Sequence, residues 1–173
     1  MAQPATSEAP ATHTTISRAR LLPFFSIALA VVAADQLTKS LIRGWLDRGE
    51  SWPTSDGWLQ LSHVENSGAA FGILQGAGTL LIIPALIGIV AVVAFLFFVP
   101  FACRLYSVAL ALILGGATGN LIDRAARSTV TDFIDPKFYP AFNIADSAIV
   151  VAVATLFVLS FIDQPADGED VPQ

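Results

Sequence analysis

Residues 79 to 103 read TLLIIPALIGIVAVVAFLFFVPFAC, an unbroken run from Thr79 to Cys103 without a charged side chain. A helix needs about 20 such residues to cross the hydrocarbon core of a bilayer. Three further stretches share this character. Leu105 to Ile122 is uncharged until Asp123, Leu21 to Ile42 is interrupted only by Asp35 and Lys39, and Phe138 to Ile162 carries only Asp146 near its start. Four long apolar runs in 173 residues leave little chain for a soluble domain, and they cannot all occupy the centre of so small a globule. The expected fold is therefore an all-α membrane protein. It is a four-transmembrane-helix bundle with spans near residues 21–42, 79–101, 104–123 and 142–162.

The remainder divides around these spans. Residues 1–17 are rich in Ala, Thr, Ser and Pro and read as a disordered lead, and the acidic tail 163–173 reads the same way. The first span runs into Asp35-Gln36-Leu37-Thr38-Lys39 instead of a small-residue cleavage site, so it is expected to be a retained span and not a removable signal segment. Between the first two spans lie Trp45, Trp52 and Trp58, a placement typical of membrane interfaces. Turn signals at Pro53 and Asp56-Gly57 precede a partly alternating Trp58 to Val64, which fits short strands in a small sheet on the membrane surface, the alternative being an irregular loop resting on the headgroups.

The net charge is −5, and the basic residues form no dense cluster, so no nucleic-acid partner is expected. One cysteine, Cys103, and two histidines, His13 and His63, cannot supply a thiolate cluster or a histidine-rich zinc site, so neither metal nor cofactor is expected. Charge leaves the orientation open. Arg18 and Arg20 favour a cytoplasmic N-terminus, but Lys39, Arg43, Arg48, Arg124, Arg127 and Lys137 would then lie on the outer side, against the positive-inside rule.

Chemistry concentrates where spans end. Carboxylates are costly in lipid, and intramembrane acids mark functional sites by default. Asp123 closes the third span after Gly115-Gly116-Ala117-Thr118-Gly119-Asn120, and Asp146 opens the fourth in Phe142-Asn143-Ile144-Ala145-Asp146. The small residues allow close helix approach. Asn120, Asp123 and Arg124 share one helical face, as do Asn143 and Asp146, while Asn143 can also cap its helix. The two spans meet at one side of the bilayer, so Asp123 and Asp146 are expected to face one another. A paired carboxyl and carboxylate can activate water and protonate a carbonyl, which is the chemistry of aspartyl peptide hydrolysis. Asp123 has an alternative as a salt-bridge partner of Arg124 or Arg127. Asp35 and Lys39 have helical ion-pair spacing. Asn66-Ser67-Gly68-Ala69-Ala70-Phe71 either holds a peptide backbone or makes a tight re-entry loop. Asp132 falls in the short loop between the two aspartate-bearing spans, where it is placed to organise that loop through the backbone amides.

Asp35-Gln36-x-x-Lys39, Asn66-x-Gly68-Ala69-Ala70-Phe71, Gly115-Gly116-Ala117-x-Gly119-Asn120-x-x-Asp123-Arg124, Asp132-Phe133 and Phe142-Asn143-x-Ala145-Asp146 together resemble the bacterial lipoprotein signal peptidases, also called signal peptidase II. The resemblance spans about residues 18–162 and implies one membrane peptidase domain with a small extracytoplasmic β-rich insert near 43–66. It implies an aspartyl endopeptidase of the inner membrane, with both termini cytoplasmic and the site facing the periplasm. Asp123 and Asp146 match the expected catalytic pair. Asn66, Gly68, Asn120, Arg124 and Asn143 match positions lining the site, and Asp35, Lys39 and Asp132 match supporting positions. The implied substrate is a diacylglyceryl-modified prolipoprotein cut immediately before its lipidated cysteine. Globomycin-like cyclic peptides are the implied inhibitors, membrane lipid the implied surroundings and a monomer the expected state. The competing functions are a proton-coupled transporter using the same carboxylates and a non-catalytic membrane scaffold.

Overall fold

A computed structural model of the chain describes residues 18–54, 57–68, 80–98 and 104–162. The two tails expected to be disordered, together with Ala69, Ala70, Phe71 and Cys103, lie outside the described residues. Among the described residues four helices and three strands follow in the order α1 (Arg18–Trp45), β1 (Ser51–Trp52), β2 (Leu59–Asn66), α2 (Ile82–Phe98), α3 (Arg104–Arg127), β3 (Val130–Pro136) and α4 (Ile144–Ile162).

Within α1, α3 and α4 the segments Leu21–Trp45, Arg104–Arg127 and Ile144–Ile162 are long and apolar enough to span a bilayer. The described part of α2 has 17 residues, about 25 Å of helix against a hydrocarbon core of about 30 Å. Among the described residues three helices therefore meet the length required, where the sequence predicts four. The burial pattern is that of a chain solvated by lipid. Leu22, Leu29, Leu41, Ile87, Val90, Val150 and Phe157 are exposed, whereas Asp35, Lys39, Asp123 and Asn143 are fully buried. Helices suit this setting because their backbone groups are satisfied internally.

Helix α3 is central and packs against α1, α2 and α4. An apolar cluster of Phe24, Ala28, Val92, Leu96, Leu110, Ala111 and Leu114 joins α1, α2 and α3. Towards the C-terminal half of α3 the contact tightens through glycine. A Cβ at Gly115 would come within 2.7 Å of the Ala28 carbonyl oxygen on α1, and one at Gly116 within 2.4 Å of the Ala145 oxygen on α4. No side chain fits there without the helices parting.

At the end of the bundle where α3 finishes and α4 begins, the strands form an antiparallel sheet in the order β1-β2-β3. The third strand corrects the sequence expectation, which confines the strands to the 43–66 segment and leaves Asp132 in a loop. Asp132 instead pairs opposite Val64, and Val130 opposite Asn66. After β3 the chain doubles back, and Phe142 exchanges backbone hydrogen bonds with Ile134 at 2.8 and 2.9 Å. That return places the start of α4 beside β3. Helix α3 ends with Ser128 at φ 60°, its amide bonded to the Arg124 oxygen in a left-handed C-terminal turn.

Candidate active site

Asn143 immediately precedes α4 and forms a capping box with Asp146. Its Oδ1 accepts the Asp146 amide at 3.0 Å, and its own amide donates to Asp146 Oδ2 at 3.3 Å. A second orphan amide at this helix start, that of Ala145, donates to Asp35 Oδ1 on α1 at 3.0 Å. The Asn143 side chain also donates to Asp132 Oδ1 at 2.6 Å. One asparagine thus links the first turn of α4 to the carboxyl group on β3.

Asp132 is held from its other side by β2. Asn66 Nδ2 donates to Asp132 Oδ2 at 3.0 Å, while Asn66 Oδ1 accepts the Gly68 amide at 3.0 Å. Asp146 accepts a 2.7 Å hydrogen bond from Asn120 Nδ2 on α3. Asp132 and Asp146 line one groove of about 250 Å³ with Asn66, Gly68, Asn120 and Arg124. Its remaining wall comes from Val130, from Tyr139 to Phe142, and from Ile149 and Val150. Burial, and then the negative charge of Asp146, push the Asp132 carboxyl up to about 7, against the opposing pull of hydrogen bonds from Asn66 and Asn143 and of the Lys39 charge. Arg124 interacts with the charges of Asp146, Asp132 and Asp123, and its buried Nε has no hydrogen-bond partner among the described residues.

Asp123 occupies different surroundings. It is fully buried, is absent from the groove lining, and is enclosed by cations. Lys39 Nζ lies 3.1 Å away, Arg127 NH1 3.4 Å and Arg43 NH1 3.6 Å, and the Thr131 amide donates to it at 3.2 Å. Lys39 also pairs with Asp35 at 2.8 Å. The sequence expectation that Asp123 faces Asp146 across an open site is corrected on this point, because Asp123 is not among the residues lining the groove and its oxygens face Lys39, Arg43 and Arg127. Its salt-bridge alternative is realised, with Arg127 as predicted and with Lys39 and Arg43 in addition. The predicted Asp35–Lys39 ion pair is present.

Asn66, Gly68, Asn120, Arg124, Asp132 and Asp146 are therefore brought together at the groove, with Asn143 buried behind it. Asp35, Lys39 and Asp123 form a polar core beneath. Sequence reasoning missed Arg43, Thr131 and the Tyr139-Pro140-Ala141-Phe142 wall. The proline and aromatics just ahead of Asn143 were the available signal for that wall.

The chain matches the family model described as "Signal peptidase (SPase) II" over residues 27–162. It is similar to the lipoprotein signal peptidase of Bacillus pumilus, 42% identical over 144 residues that cover 81% of this chain and 93% of that one. The corresponding Bacillus subtilis protein is 41% identical over 144 residues, covering 81% and 94%. A solved structure described as a bacterial membrane enzyme obtained by the in meso method superposes with a TM-score of 0.79 at 32% identity, covering 88% of this chain and 96% of that one. A second such structure gives a TM-score of 0.74 at 34% identity, covering 83% and 96%.

Proposed function

The chain belongs to the signal peptidase II family, and from that premise we propose that Asp132 and Asp146 are its catalytic pair. The protein is an aspartic endopeptidase of the inner membrane that removes signal peptides from lipoprotein precursors. The observation that carries the residue assignment is that Asp132 and Asp146 line the same groove, whereas Asp123 is sealed beneath it by three cations.

Two carboxyl groups in a poorly solvated site share one proton and titrate as a pair. The ionised member takes a proton from water as the water oxygen attacks the scissile carbonyl carbon. The protonated member gives its proton to the carbonyl oxygen, forming a neutral gem-diol. As the diol collapses and the C–N bond breaks, the newly protonated member gives its proton to the leaving amine while the newly ionised member takes one from a diol hydroxyl, which restores the starting state of the pair. Arg124 and Asn66, with unspent donor capacity at the groove, orient the substrate backbone. Asp123, Lys39 and Asp35 keep α1, α3 and α4 in register.

The substrate is a diacylglyceryl-modified prolipoprotein cut before its lipidated cysteine, with the diacylglyceryl group remaining in the bilayer beside the groove. In this reading α2 is the fourth span, both termini are cytoplasmic, and the sheet with exposed Trp45, Trp52 and Trp58 rests on the extracytoplasmic leaflet. The protein acts as a monomer, and a globomycin-like cyclic peptide would occupy the groove.

The test is purified protein in lipid or detergent, supplied with diacylglyceryl-modified and unmodified prolipoprotein. Release of mature lipoprotein from the modified form alone is the expected result. Asp146-dependent proton flux in proteoliposomes without cleavage would establish the transporter alternative instead.

A further inference from the structure

Lys39 lies fully buried on α1 with three acceptors for its three protons: Asp35 Oδ2 at 2.8 Å, Asp123 Oδ2 at 3.1 Å and Asn120 Oδ1 at 2.9 Å. An ammonium group only donates, so the Asn120 atom that faces it is oxygen, whatever the ambiguity of amide assignment elsewhere. Asn143 Nδ2 donates to the same oxygen at 3.2 Å. With the oxygen held from two sides, the Asn120 NH2 group is left to meet Asp146 Oδ1 at 2.7 Å. A flipped amide would set NH2 against ammonium and oxygen against carboxylate.

We propose that Lys39 is a positioning residue which, by holding the Asn120 oxygen, turns the Asn120 NH2 onto Asp146 and so selects Asp146 as the ionised, water-activating member of the pair. This rests on the assignment of Asp132 and Asp146 as catalytic. A donated hydrogen bond favours the charged form of a carboxylate. Asp146 also occupies the first turn of α4, where the helix dipole favours a negative charge. Asp132 also accepts hydrogen bonds, from Asn66 and Asn143, but it is on a strand without a helix dipole behind it, and burial keeps it protonated to about pH 7. The charged groups facing Asp146 are Lys39 and Asp35 from α1, Arg124 from α3 and Asp132 from β3. Lys39 thus acts on Asp146 through one intervening amide, beside the direct pull of its charge, and is itself buried behind the groove lining.

The full-length protein is assayed with diacylglyceryl-modified prolipoprotein, with kcat and KM followed from about pH 5 to 9. In Lys39→Met the acidic midpoint of the kcat profile is expected to rise by about one pH unit, with kcat near neutrality down about tenfold and KM little changed. Because removing Lys39 leaves Asp35 and Asp123 short of a partner, Asn120→Asp provides the second arm. It keeps an oxygen against Lys39 but replaces the NH2 donor, and the same rise in the acidic midpoint is expected. An unshifted midpoint in Asn120→Asp, or in folded Lys39→Met, overturns the proposal and leaves Lys39 a structural ion-pair member. Asp146→Asn separates this from failure of the pair itself, because cleavage by that variant would remove Asp146 from the chemistry altogether.

Discussion

The side-chain amide of Asn143 lies 2.6 Å from Oδ1 of Asp132, joining the start of α4 to the middle of β3. That bond is possible only because Phe142 is pinned to Ile134, which fixes where Asn143 can sit. Asn143→Ala removes this link and the helix cap together. The cap is worth about 1 kcal/mol by itself. A lower melting temperature in detergent is expected, with kcat reduced more than KM is raised. Unchanged melting and unchanged kcat would contradict the linking role.

Asp123 is expected to act through stability. Removing one member of a buried ion cluster typically costs about 3–5 kcal/mol. Asp123→Asn should therefore lower the melting temperature sharply, and its loss of activity should follow the loss of folded protein. A variant with native melting and no cleavage would instead place Asp123 in the chemistry.

The pH dependence of stability has a definite sign. Asp132 has a carboxyl value raised from 3.8 to about 7, so the folded state retains a proton that the unfolded chain releases. Its contribution to stability is fully present below about pH 3.8 and declines as pH rises to about 7, because the unfolded state binds fewer protons across that window. The melting temperature of the native protein should fall across this range relative to Asp132→Asn. A constant difference between the two would contradict the raised value.

Glycines on α3 and α2 should respond in opposite ways. At Gly116 a Cβ would lie 2.4 Å from the Ala145 oxygen, while at Gly88 nothing lies within 4 Å. Gly116→Ala forces α3 from α4 and should destabilise by about 1–3 kcal/mol. Gly88→Ala, in an open helical position, should be stabilising by about 0.5–1 kcal/mol. Comparable melting shifts of the same sign would refute the close packing at Gly116.

Three spans were legible because a membrane demands long apolar runs, whereas the run from Thr79 to Cys103, the longest in the sequence, gives a described helix of 17 residues, short of a full span. Asn143 as a cap was legible for a local reason, since its partner is three residues away. Strand β3 was not. Val130–Pro136 is seven residues long, and its pairing with Leu59–Asn66 depends on residues more than sixty positions distant. For the same reason the sequence reading set Asp123 in the catalytic pair and Asp132 among the supporting residues, the reverse of the places proposed from the fold. Each is an acid near a span boundary, and only the fold brings Lys39 and Arg43 from α1 onto the first and sets the second in the wall of the groove.

The pairing of Asp132 with Asp146 is tested most directly by single-turnover cleavage of diacylglyceryl-modified prolipoprotein, normalised to folded enzyme. Asp132→Asn, Asp146→Asn and Asp123→Asn are measured side by side. Asp132→Asn and Asp146→Asn should each lose at least about 10²–10⁴-fold in rate while melting as folded proteins, whereas folded Asp123→Asn should retain measurable cleavage. Near-native cleavage by folded Asp132→Asn, with none by folded Asp123→Asn, would contradict the assignment and return the catalytic role to Asp123.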